Sequence, residues 1–313
     1  MSTFLSRTAA ALPSLVLGLV LGLVLIPLVT PAPAGAAAPA TDFTVVSAAS
    51  YEGDFQGQAV PTGALLAIFP LGGTFPIDEY SSDPDGTWST STPSGLRVTA
   101  SCASYAATTN IPILYAGPTQ INVYWPNASG PERYGACPYL GTSRMTISLP
   151  NGQVLGHTLA TVPAHPGIFF TGDTPSGVHR DGATGAPTPL TTCNDLLPAG
   201  PGACPVRTSG AAATVEISLT GSEAYACGPC GAAGLRFELA RLSGGVLGPW
   251  TPQTLLSLQP AGQNPGRELA TVRLAPATTA GEYRLRVAAP SGPSAAQSLH
   301  VEFGQPAVAA GPR

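Results

Sequence analysis

The sequence has no lysine; its thirteen basic residues are all arginine. It has few charges of either sign, 10% of the chain against 44% hydrophobic residues, and its net charge is −4. No basic patch marks a nucleic-acid partner, so none is expected. Long helices are also missing from the pattern. The 37 glycines and 34 prolines break the chain too often for them, and favour many short strands joined by turns. No G-x-S-x-G elbow and no glycine-rich phosphate loop occurs. His157, His165, His179 and His300 lack metal-ligand spacing, and His179-Arg180-Asp181 matches three residues of a kinase catalytic loop without the rest of one. No cofactor-binding pattern is present, and neither a cofactor nor a metal is expected.

What is there begins with a leader. Arg7 is followed by the apolar run Leu15 to Val29 and by the small residues PAPAGAAAPA. This reads as a signal peptide over residues 1–38, with Ala34-Gly35-Ala36 as the cleavage site. The run is short for a membrane span, and Pro27 interrupts it. Export is expected, to a secreted or cell-surface location with no membrane span after cleavage. Six cysteines follow: Cys102, Cys137, Cys193, Cys204, Cys227 and Cys230. An even number in an exported chain suggests disulfides, with the connectivity left open.

The chain is organised around Ile111 to Pro126, IPILYAGPTQINVYWP, which reads as a tight β-hairpin turning at Gly117-Pro118. Alternation puts Gln120 and Asn122 on one side of the returning strand, and Ile121 and Val123 on the other. Gln120 and Asn122 are expected to tie down a neighbouring loop. Before the hairpin, Thr44 to Ala49 and Ala64 to Phe69 read as strands, the second apolar enough to be buried on both faces. Residues 70–95 read as a long loop. Leu96 to Ala100 alternates as a strand with one wet side. Arg144 to Leu149 and Val154 to Val162 pair across the turn Pro150-Asn151-Gly152-Gln153. Ala164 to Phe170 closes a first β-sandwich over residues 43–170.

Residues 171–212 read as a Gly/Pro-rich connector. Residues 213–304 read as a second, immunoglobulin-like sandwich, and 305–313 as a tail. In Tyr283 to Ala288, Tyr283, Leu285 and Val287 face inward while Arg284 and Arg286 face out. Ala280-Gly281-Glu282-Tyr283 has the form of a tyrosine corner. The expected fold is therefore all-β, two immunoglobulin-like β-sandwich domains after an N-terminal signal peptide.

Four blocks carry a resemblance. They are Val45-Val46-Ser47-Ala48-Ala49-Ser50-Tyr51, Val60 to Phe69 (VPTGALLAIF), Tyr115-Ala116-Gly117-Pro118-Thr119-Gln120-Ile121-Asn122, and Ala164 to Phe169 (AHPGIF). In that order, over about residues 43–182, the chain resembles the Solibacter uncharacterised C-terminal domain family of exported bacterial modules. The resemblance implies a secreted β-sandwich akin to transcription-factor-type immunoglobulin domains, with no catalytic residues to transfer. Tyr115, Gly117, Pro118, Gln120 and Asn122 are its hairpin motif in this chain. Pro70, where a glycine usually follows the phenylalanine, and the long 70–95 loop depart from it.

Several residues carry competing chemistry. Cys227-Gly228-Pro229-Cys230 has the four residues of a thioredoxin-type site, in which the first thiol attacks and the second resolves. The glycines and strands that follow do not supply the helix such a site needs, so a local disulfide or a turn is preferred. A zinc site from Cys193, Cys204, Cys227 and Cys230 has only one C-x-x-C. Cys102 and Cys137 flank the hairpin, whose outer ends approach; a bridge there would contribute roughly 3–4 kcal/mol by loop closure. Asp78, Glu79, Asp83 and Asp85 fit no standard calcium loop. Tyr115, Tyr124 and Trp125 offer an aromatic sugar-binding face or, at hairpin spacing, core packing.

The sequence thus reads as a non-enzymatic, exported structural or adhesion-type module. Its partner is an unknown protein or glycan at the cell surface. A carbohydrate-binding module and a thiol–disulfide oxidoreductase using Cys227 and Cys230 are the alternatives.

Overall fold

The computed structural model describes residues 38–49, 51, 59–82, 88–102, 105–125, 141–162, 164–171, 174–180, 187–190, 206–208, 213–222, 234–261, 266–275, 280–289, 292–294 and 296–303. Among them there is no helix; the fold is all-β. In consequence no helix among the described residues is long and apolar enough to cross a membrane.

The first sandwich is built from β1 (Asp42–Ser47), β2 (Val60–Pro61), β3 (Ala64–Leu71), β4 (Tyr80–Ser81), β5 (Arg97–Cys102), β6 (Tyr105–Ile111), β7 (Ile113–Gly117), β8 (Gln120–Trp125), β9 (Gly141–Ser148) and β10 (Val154–Val162). They form two five-stranded sheets, β1-β3-β8-β7-β4 and β2-β10-β9-β5-β6. Alternation explains the strands. On β5 and the residue before it, Leu96, Val98 and Ala100 are buried while Arg97 is exposed. β9 and β10 meet across Asn151 and Gly152. Gly152 has φ +86°, the Gln153 N–H donates to the Asn151 side chain, and the Leu149 N–H donates to the Gln153 carbonyl. On β3, Ala64 to Ile68 are all buried, because the strand faces two cores. Leu66 and Ile68 join Phe43, Val45, Ile121, Val123 and Trp125 between the sheets, and Leu65 packs outward with Trp88 and Tyr124.

The second sandwich takes up β11 (Gly167–Ile168), β12 (Phe170–Thr171), β13 (Thr174–Pro175), β14 (Gly177–Arg180), β15 (Pro187–Pro189), β16 (Val206–Thr208), β17 (Thr214–Thr220), β18 (Arg236–Ser243), β19 (Val246–Leu247), β20 (Thr251–Pro260), β21 (Glu268–Arg273), β22 (Gly281–Ala289), β23 (Gly292–Pro293) and β24 (Gln297–Phe303). Its main path is β15-β14-β17-β21-β20-β18-β22-β24-β16. β20 bridges the two layers: Thr251 to Gln253 pair with β18, and Thr254 to Pro260 pair with β21. The core holds Val215, Ile217, Leu219, Phe237, Leu239, Val272, Tyr283, Leu285 and Val287, so the inward side of β22 is the one alternation predicts.

Two stretches sit elsewhere than the sequence placed them. Gly167 and Ile168, read as the end of the first sandwich, pair with Thr220 and Leu219 of β17 in the second. The described parts of 171–212, read as a connector, contain β14, which pairs with β17, and β16, which pairs with β24. Both depend on partners remote in sequence, which local glycine and proline content does not disclose.

Candidate functional site

The hairpin forms, but its turn falls one residue later than the expected Gly117-Pro118, and Ile111 belongs to β6 of the other sheet. β7 and β8 are joined by a two-residue turn, Pro118-Thr119, with Gly117 paired to Gln120. The Tyr115 hydroxyl lies over Gly117; a Cβ there would sit 2.5 Å from that oxygen and push the Tyr115 ring aside. Ile121 and Val123 are buried and Gln120 and Asn122 half-buried, in the predicted alternation. The Gln120 Nε2 donates to the Asn122 Oδ1 at 2.6 Å, so in this bond the pair is tied to itself. The neighbouring segment is held by backbone instead. The Phe75 N–H donates to the Pro118 carbonyl at 2.8 Å, and Tyr80 pairs with Ala116.

Of the two readings of Tyr115, Tyr124 and Trp125, core packing holds for Tyr124 and Trp125. Tyr124 and Trp125 are 0% and 1% exposed, so neither is offered to a ligand. Adjacent strand residues point to opposite faces, and here both faces are covered: Trp125 fills the first core, while Tyr124 packs with Leu65 and against the Trp88 ring at 5.9 Å.

Of the cysteines, only the backbone of Cys102, on β5 and paired with Ser143, lies within the described residues. Cys137, Cys193, Cys204, Cys227 and Cys230, and with them the disulfide, zinc and redox readings, lie outside. Asp83 and Asp85 lie outside as well, while Asp78 and Glu79 are exposed. Among the described residues no three His, Cys, Asp or Glu side chains are grouped to hold a metal. His157 sits beside Asp42, Nδ1 to Oδ1 3.6 Å, and against the Phe43 ring. His179 is buried on β14, next to an Arg180 whose Nε donates to the Glu216 Oε1 at 2.9 Å, far from kinase-like use.

Two constellations were invisible in the sequence. The first is the seam between the sandwiches. The Leu65 N–H of β3 donates to the Thr220 hydroxyl at 2.8 Å, and that hydroxyl donates in turn to the Gly266 carbonyl. Gly266, at φ +74°, lies on the Tyr124 ring; a Cβ would come 2.6 Å from the ring carbon Cδ2. The His165 N–H donates to the Gly221 carbonyl and the Phe169 N–H to the Ser218 carbonyl, both at 3.0 Å. Beside them the fully buried Glu268 accepts the Ser222 N–H at 3.1 Å. A threonine, two glycines and a glutamate are common residues with no motif spacing, so no local signal marks them.

The second is a ladder on the outer face of β18 and β22. The Arg286 guanidinium lies 3.9 Å from the Trp250 ring centroid, and its Nε and Nη2 both reach the Glu238 Oε2 at 2.8 Å. Arg236 approaches the other oxygen of Glu238 at 3.8 Å. Cation, ring and carboxylate satisfy one another, which is what a staple between strands requires. The outward position of Arg286 was legible; its meeting with Glu238 and Trp250 was not.

No family model matches this chain, and no curated protein matches it. Among solved structures it is similar to murine CEACAM1b, at 9% identity over 84% of this chain and 100% of that one, with a TM-score of 0.20. So loose a superposition carries no argument about fold or function; the all-β architecture stands on the strand pairing described above.

Proposed function

We propose that this chain is an exported, non-catalytic β-sandwich protein, a structural or adhesion-type module that works at the cell surface or beyond it. The observation that carries the reading is the seam. The Thr220 hydroxyl, which accepts the Leu65 N–H, and the Gly266–Tyr124 contact hold two sandwiches in register. A fixed pair of sandwiches suits a spacer that presents loops to a partner and transmits load. The leader over residues 1–38 supports export, and six cysteines suit an oxidising compartment. The partner is a surface protein or glycan.

The test follows the full chain, tagged at its C-terminus, in a bacterial secretion host. The expected result is accumulation outside the cytoplasm, an N-terminus beginning just after Ala36, and cysteines in stable disulfides by mass spectrometry. Retention in the cytoplasm with the leader intact would overturn export. Catalysis of insulin reduction that is lost on Cys227→Ser would overturn the non-catalytic reading in favour of a thiol–disulfide enzyme.

A further inference from the structure

β20 is ten residues long and has no buried position, whereas every other strand of six or more residues buries at least one. It nevertheless carries Leu255, Leu256 and Leu258. Leu255 and Leu258 are only half-buried against the second core. The extra residue of a bulge, Leu256, is turned outward and 41% exposed. Just before it, β19 exposes Val246 and Leu247, at 70% and 45%. Three of the six large apolar side chains exposed among the described residues thus fall on one ribbon, Val246 to Pro260. From Thr254 to Pro260 β20 pairs with β21 on one side, and no strand pairs on its other side among the described residues.

We infer that this ribbon is a two-fold contact with a second copy of the same chain, formed along β20. Charge is the first reason. In a two-fold contact every group near the axis meets its own copy, so a charged surface repels itself. No ionisable residue lies between Arg241 and Arg267. Self-complementarity is the second. Laid antiparallel on itself about the Leu256–Ser257 bond, the strand sets Thr254 opposite Gln259, Leu255 opposite Leu258, and Leu256 opposite Ser257. Polar residues then meet at the ends, and leucines meet across the axis. Pro252 and Pro260 have no N–H to give, so pairing stops at both ends, which confines the contact to a closed dimer rather than a growing sheet. Reach is the third. At about 3.3 Å per residue the open edge from Thr254 to Pro260 is roughly 23 Å long, which suits a small, weak interface.

The experiment is sedimentation velocity on the secreted full chain, up to ~100 µM, a range that covers weak specific dimers. The expected result is a species of twice the monomer mass. Leu256→Arg, a change at an exposed position, should raise its dissociation constant by about tenfold or more while leaving the thermal midpoint and far-UV circular dichroism unchanged. Thr108→Arg, on the uncharged outer strand β6 of the first sandwich, should leave the dimer intact. A wild-type monomer at the highest concentration would overturn the proposal. So would a dimer that Leu256→Arg does not weaken, one that Thr108→Arg weakens equally, or a monomer that instead floats with anionic vesicles.

Discussion

In the first sandwich the chain changes sheets at Pro112, between β6 and β7; in the second it changes sheets along β20 without a break. At the proline corner Ile111 and Ile113, on either side, are 1% and 0% exposed. Proline ends one ladder cheaply, since it has no N–H to leave unpaired, and its fixed φ re-aims the chain so that both neighbours reach the core. β20 keeps its hydrogen bonds but has to span the space between two layers. A bulge absorbs the mismatch, and Leu255 and Leu258 reach the core only in part. A corner closes a sandwich; a bridging strand leaves its flank open. That contrast is why the surface proposed for self-association lies on the second sandwich.

Three substitutions test the contrast. The largest effect is expected from Trp125→Ala. It empties a site in the closed core and should cost about 3–5 kcal/mol in urea unfolding. A loss near 1 kcal/mol would mean the first sandwich is no better sealed than the second. Next is Thr220→Val, which keeps shape but removes the hydroxyl shared by Leu65 and Gly266. Two buried backbone groups lose their partner, for roughly 2–4 kcal/mol. Calorimetry should then show the single transition of the wild type separating into two as the sandwiches uncouple. One sharp transition in the variant would show that the seam does not couple them. The smallest is Leu258→Ala on the open flank, expected at about 1–2 kcal/mol, below the usual range for a fully buried leucine. A cost equal to that of Leu66→Ala would erase the distinction between the two cores.

Much of this fold was legible because it is written locally. The Asn151-Gly152 turn, the alternations at Leu96 to Ala100 and Tyr283 to Val287, and the existence of a turn beside Pro118, though not its exact residues, each need only neighbours in sequence. The seam was not legible. Leu65 and Thr220 are 155 residues apart, and nothing around either announces the other. Tyr124 and Trp125 show the same limit. Their aromatic, period-two setting fits an exposed platform as well as a core, and only the positions of Trp88, Leu65 and the facing sheet bury them. Gln120 and Asn122 were read correctly as to face, but as ties to a neighbouring loop. The Gln120 amide donates to Asn122, while the Phe75 N–H is held by the Pro118 carbonyl.

By itself, then, the sequence determined the all-β class and the inward faces of several strands, since side-chain alternation and turn chemistry act over two to four residues. The tertiary structure alone decided that Gly167 and Ile168 belong to the second sandwich, that stretches of the supposed connector become strands, and that the two sandwiches share a seam. It also decided that β20 is left exposed. Each of these depends on which hydrogen-bonding edge or apolar face a segment finds, and that is set by the arrangement of all the others.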